Sequence, residues 1–137
     1  MKVQHVPIEY VNQVWPQVED FIRAAVDQQE HGKDYTLEQV QVYVVTGQWV
    51  LLVAVNEEGV ICGAATVHLF NRPSNRVAFV TYIGGRLITN DDSYKQMCAV
   101  LKGFGATSIE GAVNDAVAKL WQRFGFTEKY KIVEVTL

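Results

Sequence analysis

Cysteine is scarce in this chain, with two in 137 residues. Neither Cys62 nor Cys98 has a CxxC partner or a nearby histidine, which excludes a disulfide framework and a thiolate metal site and leaves two reduced thiols packed in a core. The longest apolar run, Trp49 to Val55, has seven residues. That is strand length and far short of a membrane span. The opening MKVQHVPIEYV has no apolar leader region, so no secretory signal is expected. There is no cluster of one charge: 12 Lys and Arg stand against 15 Asp and Glu, giving a net charge of −3. A basic footprint for nucleic acid is therefore missing. The histidines His5, His31 and His68 have no ligand at metal spacing, so no metal is expected. A P-loop, a GxGxxG turn and a Ser-His-Asp signature are also absent.

What remains is an ordinary soluble composition, 49% hydrophobic and 20% charged. The length suits one domain, residues 1–137, in a cytoplasmic setting. Residues 2–6 alternate as a first strand. From Val11 the spacing is helical, with Val14, Trp15, Val18, Phe21, Ile22 and Ala25 on one stripe. Pro16 fits best in a first turn, so the regular helix is expected to begin near Trp15. Residues 28–36 are polar and contain Gly32, a loop. Thr36 can cap a second helix over 36–46, which Gly47 ends.

The period then changes to two. Strands are expected over 49–55, 60–70 and 76–83, joined by NEEG and NRPSN. Such short connections force an antiparallel meander. A helix over 92–104, a strand over 107–113, a helix from Asn114 and an alternating strand over 129–137 complete the chain. The order β-α-α-β-β-β-α-β-α-β makes an α/β chain of the α+β type, with a mixed, mostly antiparallel sheet of about six strands and helices on both faces.

The segment NDAVAKLWQRFGF, residues 114–126, carries the most information. Asn114 can cap a helix, and Asp115 sits at the positive end of its dipole. Val117, Leu120, Trp121 and Phe124 form an apolar face. Gly125 suits the left-handed residue that ends a helix, after which Phe126 can fold back on Trp121. A capped amphipathic helix accounts for every residue and by itself implies no chemistry.

In sequence and placement, however, the segment resembles the C-terminal half of the GNAT family, the Gcn5-related N-acyltransferases. The pattern there is roughly N-x-x-A-x-x-L-[YW]-x-x-x-G-F. Asn114, Val117, Leu120, Trp121, Gly125 and Phe126 match it in order, and the element order is similar over nearly the whole chain. The resemblance implies that acyl-CoA, as acetyl-CoA, binds in a wedge between the fourth and fifth strands, with an amine as acceptor. It implies cofactor contacts at Thr81, Ile83, Gly84, Gly85, Arg86, Asn114 and Trp121. The pyrophosphate would lie on the amides opening the helix after the fourth strand, where an anion is favoured.

The chain departs from that pattern in places. No glycine follows Arg86 until Gly103, and Asp91 and Asp92 stand where a pyrophosphate would sit. Their repulsion, a few kcal/mol at an effective dielectric of about 20, offsets the ~1 kcal/mol that a helix terminus gives a nearby charge. Trp121 stands where many members have a tyrosine that protonates the leaving thiolate. An indole N–H cannot do this near neutral pH.

Tyr82 and Glu110 are the catalytic candidates. Glu110 is flanked by apolar residues, and burial would raise its pKa into the range of a useful base. His68 is next, read equally well as a hydrogen-bonded structural histidine. Two functions follow. One is an N-acetyltransferase. The other is a GNAT-fold binding or assembly protein without catalysis. The spacing from Trp15 to Ile22 and the fifth-strand Ile109-Glu110-Gly111 resemble short GNAT-like proteins of bacteriophages, which would put it in host cytoplasm or a virion with a protein partner. A homodimer is compatible with either reading.

Overall fold

The computed structural model describes residues 1–29 and 34–137. The expected loop at His31 and Gly32 therefore lies outside the described residues. The elements are β1 (Lys2–His5), α1 (Val11–Asp27), α2 (Leu37–Val45), β2 (Val50–Val55), β3 (Ile61–Arg72), β4 (Asn75–Gly85), α3 (Asp91–Gly103), β5 (Ser108–Gly111) and α4 (Asp115–Trp121). The sheet order is β1-β2-β3-β4-β5. The first four strands are antiparallel, and β5 joins β4 in parallel.

The helices cover both faces, as the patterning indicated. On one face, α1 and α2 bury Trp15, Val18, Ile22, Val40 and Val44 against Leu51, Val53 and Tyr82. On the other, Met97 and Leu101 of α3 and Trp121 of α4 pack on Leu52, Ala65, Val67 and Val80. This alternation along β2 explains its continuous apolar run: both faces of the strand are covered.

Two expectations change. α1 begins at Val11 rather than near Trp15, preceded by a 3-10 turn at Ile8–Tyr10, and Pro16 lies inside it. Val11 and Trp15, four apart and both buried, hold that first turn on the core despite the missing proline N–H. The expected strand over 129–137 is not part of the sheet, which has five strands among the described residues. Ile132, Val133 and Val135 are 78%, 91% and 79% exposed. The alternation is real, but a strand also needs a neighbouring strand to bond, and this segment pairs with none among the described residues.

Candidate functional site

The site is set by where β5 ends beside the longer β4. Their ladder runs from Val77↔Ser108 to Val80↔Gly111 and stops there, while β4 continues to Gly85. From Thr81 onward, β4 therefore pairs only with β3. Just past the last β4 residue paired with β5, the β3–β4 register slips: Val80 pairs with Val67, Tyr82 pairs with Thr66, and Thr81 is the extra residue of a bulge.

Side chains stabilise that bulge. The Thr81 hydroxyl donates to the Thr66 carbonyl at 2.9 Å, and the two hydroxyls lie 2.6 Å apart. Since the Thr81 proton is engaged, the Thr66 hydroxyl is the donor to Thr81 Oγ1. The slip also changes faces. Val80 belongs to the α3–α4 core and Tyr82 to the α1–α2 core, although an unbroken strand would put both on one side.

Downstream, the chain is pressed against its surroundings. A Cβ on Gly84 would lie 2.2 Å from the Phe21 carbonyl oxygen, so α1 fills the space which that glycine leaves. Gly85 has φ +68°, and the Arg86 amide donates to the Cys62 carbonyl at 2.8 Å. The Arg86 side chain is exposed. Asn90 opens α3 with a capping box: its side chain accepts from the Ser93 amide at 2.9 Å. Buried Ser93 Oγ accepts in turn from the Thr89 and Asn90 amides at 2.9 and 3.1 Å. Three donors that could meet an anion are thus satisfied internally. The Asp91 and Asp92 amides keep the open donors of a helix start, but both side chains are exposed carboxylates.

Across the wedge, Asn114 caps α4 by accepting from the Val117 amide at 2.9 Å. Gly125 ends the following turn at φ +96°. Phe126 folds back to 4.9 Å from the Trp121 ring. Trp121 is 6% exposed, and its ring lies where a Cβ on Gly111 would be, 2.9 Å away. The indole thus occupies the ground beside the last paired residue of β5. Tyr94 stacks on Phe124 at 4.9 Å, and burial, with a hydrogen bond to the Cys98 thiol, pushes its phenol up to about 12.

The two catalytic candidates sit in separate networks. Glu110 takes a two-pronged contact from Arg72, with Nη2 to Oε1 at 3.0 Å, and a further one from Lys129 at 3.0 Å. The Arg72 hydrogen bonds, helped by Lys129, hold its carboxyl below the ordinary value against the opposing effect of burial. The expectation of a raised pKa is therefore corrected: the flanking apolar residues gave burial, but the sequence did not show the cations that outweigh it. The Tyr82 hydroxyl donates to Gln29 Oε1 at 3.1 Å. Burial first, then the Asp34 carboxylate, raises its pKa.

His68 is exposed and lies 6.3 Å from Trp49 and 5.2 Å from Phe70. It continues an aromatic row in which Tyr35 meets Trp49 edge-on at 5.0 Å and Tyr43 stacks on Trp49 at 4.6 Å. Gln29, Asp34 and Tyr35 around Tyr82 escaped the sequence reading. They sit beside a polar stretch with no periodicity, and only the bulge brings Tyr82 to them.

No family model matches the sequence, and no curated protein is similar to it. Solved structures do match in shape. A probable acetyltransferase superposes with a TM-score of 0.68 at 13% identity, over 100% of this chain and 97% of its own. Aminoglycoside N-acetyltransferase AAC(6')-Iy in complex with CoA gives 0.67 at 13%, covering 99% and 93%. An aminoglycoside acetyltransferase, meta-AAC0020 from an uncultured soil metagenomic sample, in complex with sisomicin, gives 0.67 at 13%, covering 99% and 94%. At this identity the likeness is one of fold: a mixed, mostly antiparallel sheet with helices on both faces, as in these GNAT-like neighbours.

Proposed function

We propose that the protein is an acyltransferase that moves an acetyl group from a CoA thioester to an amine. The observation that carries this reading is that β5 ends at Gly111 while β4 runs on past Val80 to Gly85, with the bulge at Thr81 beside that end. Beyond that point, the backbone of β4 has an edge free of β5 where an extended, amide-bearing arm can add hydrogen bonds as a strand would. CoA carries such an arm, and it would supply an activated acyl group as a thioester. In this role Thr81 and Ile83 offer backbone groups. Arg86, exposed after Gly84 and Gly85, offers charge to phosphate. Asn114 and Trp121 form the far wall. The diphosphate end fits less well, because Asp91 and Asp92 flank the helix start. Affinity for CoA is therefore expected to be modest.

The acceptor amine is best served on the α1–α2 face. Asp34 supplies negative charge there, and the half-buried rings of Tyr35 and Tyr43, packed on buried Trp49, can attract a cation. One of the similar folds is in complex with CoA and another with sisomicin, which supports a pairing of a CoA-borne donor with an amine. Transfer forms a C–N bond and breaks a C–S bond. The amine sheds a proton to water and the thiolate gains one. Tyr82, whose raised pKa keeps it protonated at neutral pH and whose proton is held by Gln29 Oε1, cannot act as a base. Glu110, held by two cations, is a structural ion pair in this reading. Positioning supplies most of the rate.

A second reading, a binding module of the same fold without catalysis, is favoured by Trp121 lying over Gly111. Thermal unfolding with and without acetyl-CoA separates the two. Ligand at 100 times its Kd adds about 2.7 kcal/mol. A shift together with thiol release in the presence of polyamine or aminoglycoside acceptors supports the enzyme. No shift at millimolar acetyl-CoA refutes it and leaves the module.

A further inference from the structure

The last residues of β4 are gripped from the α1–α2 face. Thr81 is fixed in its bulge by Thr66. Tyr82, the next residue, is 5% exposed. Its hydroxyl donates to Gln29 Oε1 at 3.1 Å, two residues past the end of α1. The Tyr35 amide donates to the same oxygen, two residues before α2 begins, and the two rings meet edge-on at 6.5 Å. Asp34 is close enough for its charge to act on the phenol. One buried hydroxyl therefore joins both ends of the α1–α2 connection to β4. Further along, Gly84 and Gly85 lie against Phe21 of α1, where an added Cβ would come within 2.2 and 2.7 Å of that residue.

The same stretch of β4 has its backbone edge free of β5 beyond Val80. In a strand the backbone bonding groups lie in the sheet, and the side chain stands across it. An arm bonded along that edge would fix the peptide planes on either side of Tyr82, and with them the direction of its Cα–Cβ bond. Tyrosine has only two side-chain torsions. With its ring buried and its hydroxyl bonded, it transmits that direction to Gln29 and Tyr35. By linkage, whatever donor binding does to the acceptor face, acceptor binding does in return to the donor edge.

We propose that Tyr82 is a positioning residue that couples the two halves of the transfer site: a CoA thioester seated on the free edge of β4 sets, through the Tyr82 hydroxyl, the placement of Asp34 and Tyr35, which receive the amine. This rests on the acyltransferase reading above and adds an order of events to it, in which donor binding prepares the acceptor side. Tyr82 itself exchanges no proton with either substrate.

The test is a nitrogen-15 NMR titration of the full chain with acetyl-CoA alone, so that the identity of the amine plays no part. In the wild type the amides of Thr81 to Arg86 should shift. The Tyr35 amide and the backbone and side-chain amides of Gln29 should shift with them, on one saturation curve. In Tyr82→Phe the first group should still respond, and the response at Gln29 and Tyr35 should be lost. Gln29→Met alters a half-buried residue outside helix and sheet, and keeps the test open if the buried change fails to fold. It should abolish the response of the residue-29 amide and spare that of Tyr35. No shift anywhere in the wild type removes the acyltransferase reading and the coupling with it. Shifts at 81–86 with none at Gln29 and Tyr35 overturn the coupling and leave the acyltransferase reading intact. So does a response at those two residues that survives Tyr82→Phe, or one at residue 29 that survives Gln29→Met.

Discussion

Thr81→Val tests whether the bulge at the wedge is held by side chains. Valine keeps nearly the same shape and removes one hydroxyl. That hydroxyl accepts from Thr66 Oγ1 at 2.6 Å and donates to the Thr66 carbonyl at 2.9 Å. Thr66 is 0% exposed, so water cannot replace either bond without opening the sheet. A buried donor or acceptor left unmatched costs about 1–3 kcal/mol. The carbonyl has a second lone pair and suffers less than the hydroxyl, so the expected loss is about 2–3 kcal/mol in total. That is a large share of the 5–15 kcal/mol typical of a folded domain.

Equilibrium denaturation in urea should show a lower midpoint with the slope unchanged. Thr66→Val with Thr81→Val should cost less than the sum of the single changes, because removing both partners leaves no unmatched group. A loss under about 0.5 kcal/mol for Thr81→Val, the range of an ordinary surface change, would refute the argument. So would additive costs in the double variant. In either case the bulge would be imposed by packing around Tyr82 and Gly84 instead.

Two further predictions follow from the surroundings of the wedge. Gly84→Ala should destabilise by about 1–3 kcal/mol, the cost of overpacking, because its Cβ meets the Phe21 backbone at 2.2 Å. Gly103→Ala, with nothing within 4 Å, is the control in thermal melts and should be neutral or mildly stabilising. Glu110→Gln should lower stability at neutral pH within about 1 kcal/mol, as a partly exposed ion pair allows. Because the folded-state pKa of Glu110 lies below the unfolded 4.5, its contribution is present above that pH and fades as pH falls through it. Wild-type and variant melting temperatures, measured from neutral pH downward, should therefore converge on the acid side. A gap that stays constant would show that the pair does not stabilise through charge.

Much of this molecule was legible without coordinates. The apolar period placed the four α-helices and the five strands found among the described residues. Thr36, Asn90 and Asn114 stand at helix starts, the first predicted as a cap by its own chemistry and the last by both chemistry and motif. The helix stop at Gly125 and the return of Phe126 to Trp121 followed from the same local rules, which act over a few residues and need no partner. The misreadings share one cause. Glu110 was read from its apolar neighbours in sequence, but its pKa is set by Arg72 and Lys129, which lie 38 and 19 residues away. Likewise nothing in the sequence around Gly84, named for a cofactor contact, shows that the backbone of Phe21, some sixty residues upstream, lies against it.

By itself, then, the sequence determined the periodic elements, their caps and the mixed sheet covered on both faces, because period and capping are local. Only the tertiary structure decided three things. A bulge turns Tyr82 to the α1–α2 face, since one extra residue reverses the side of every later side chain. Trp121 lies over Gly111 rather than reaching into solvent. Residues 131–137, patterned as a strand, join no strand of the sheet among the described residues, because pairing is a property of neighbours in space and not of the strand alone.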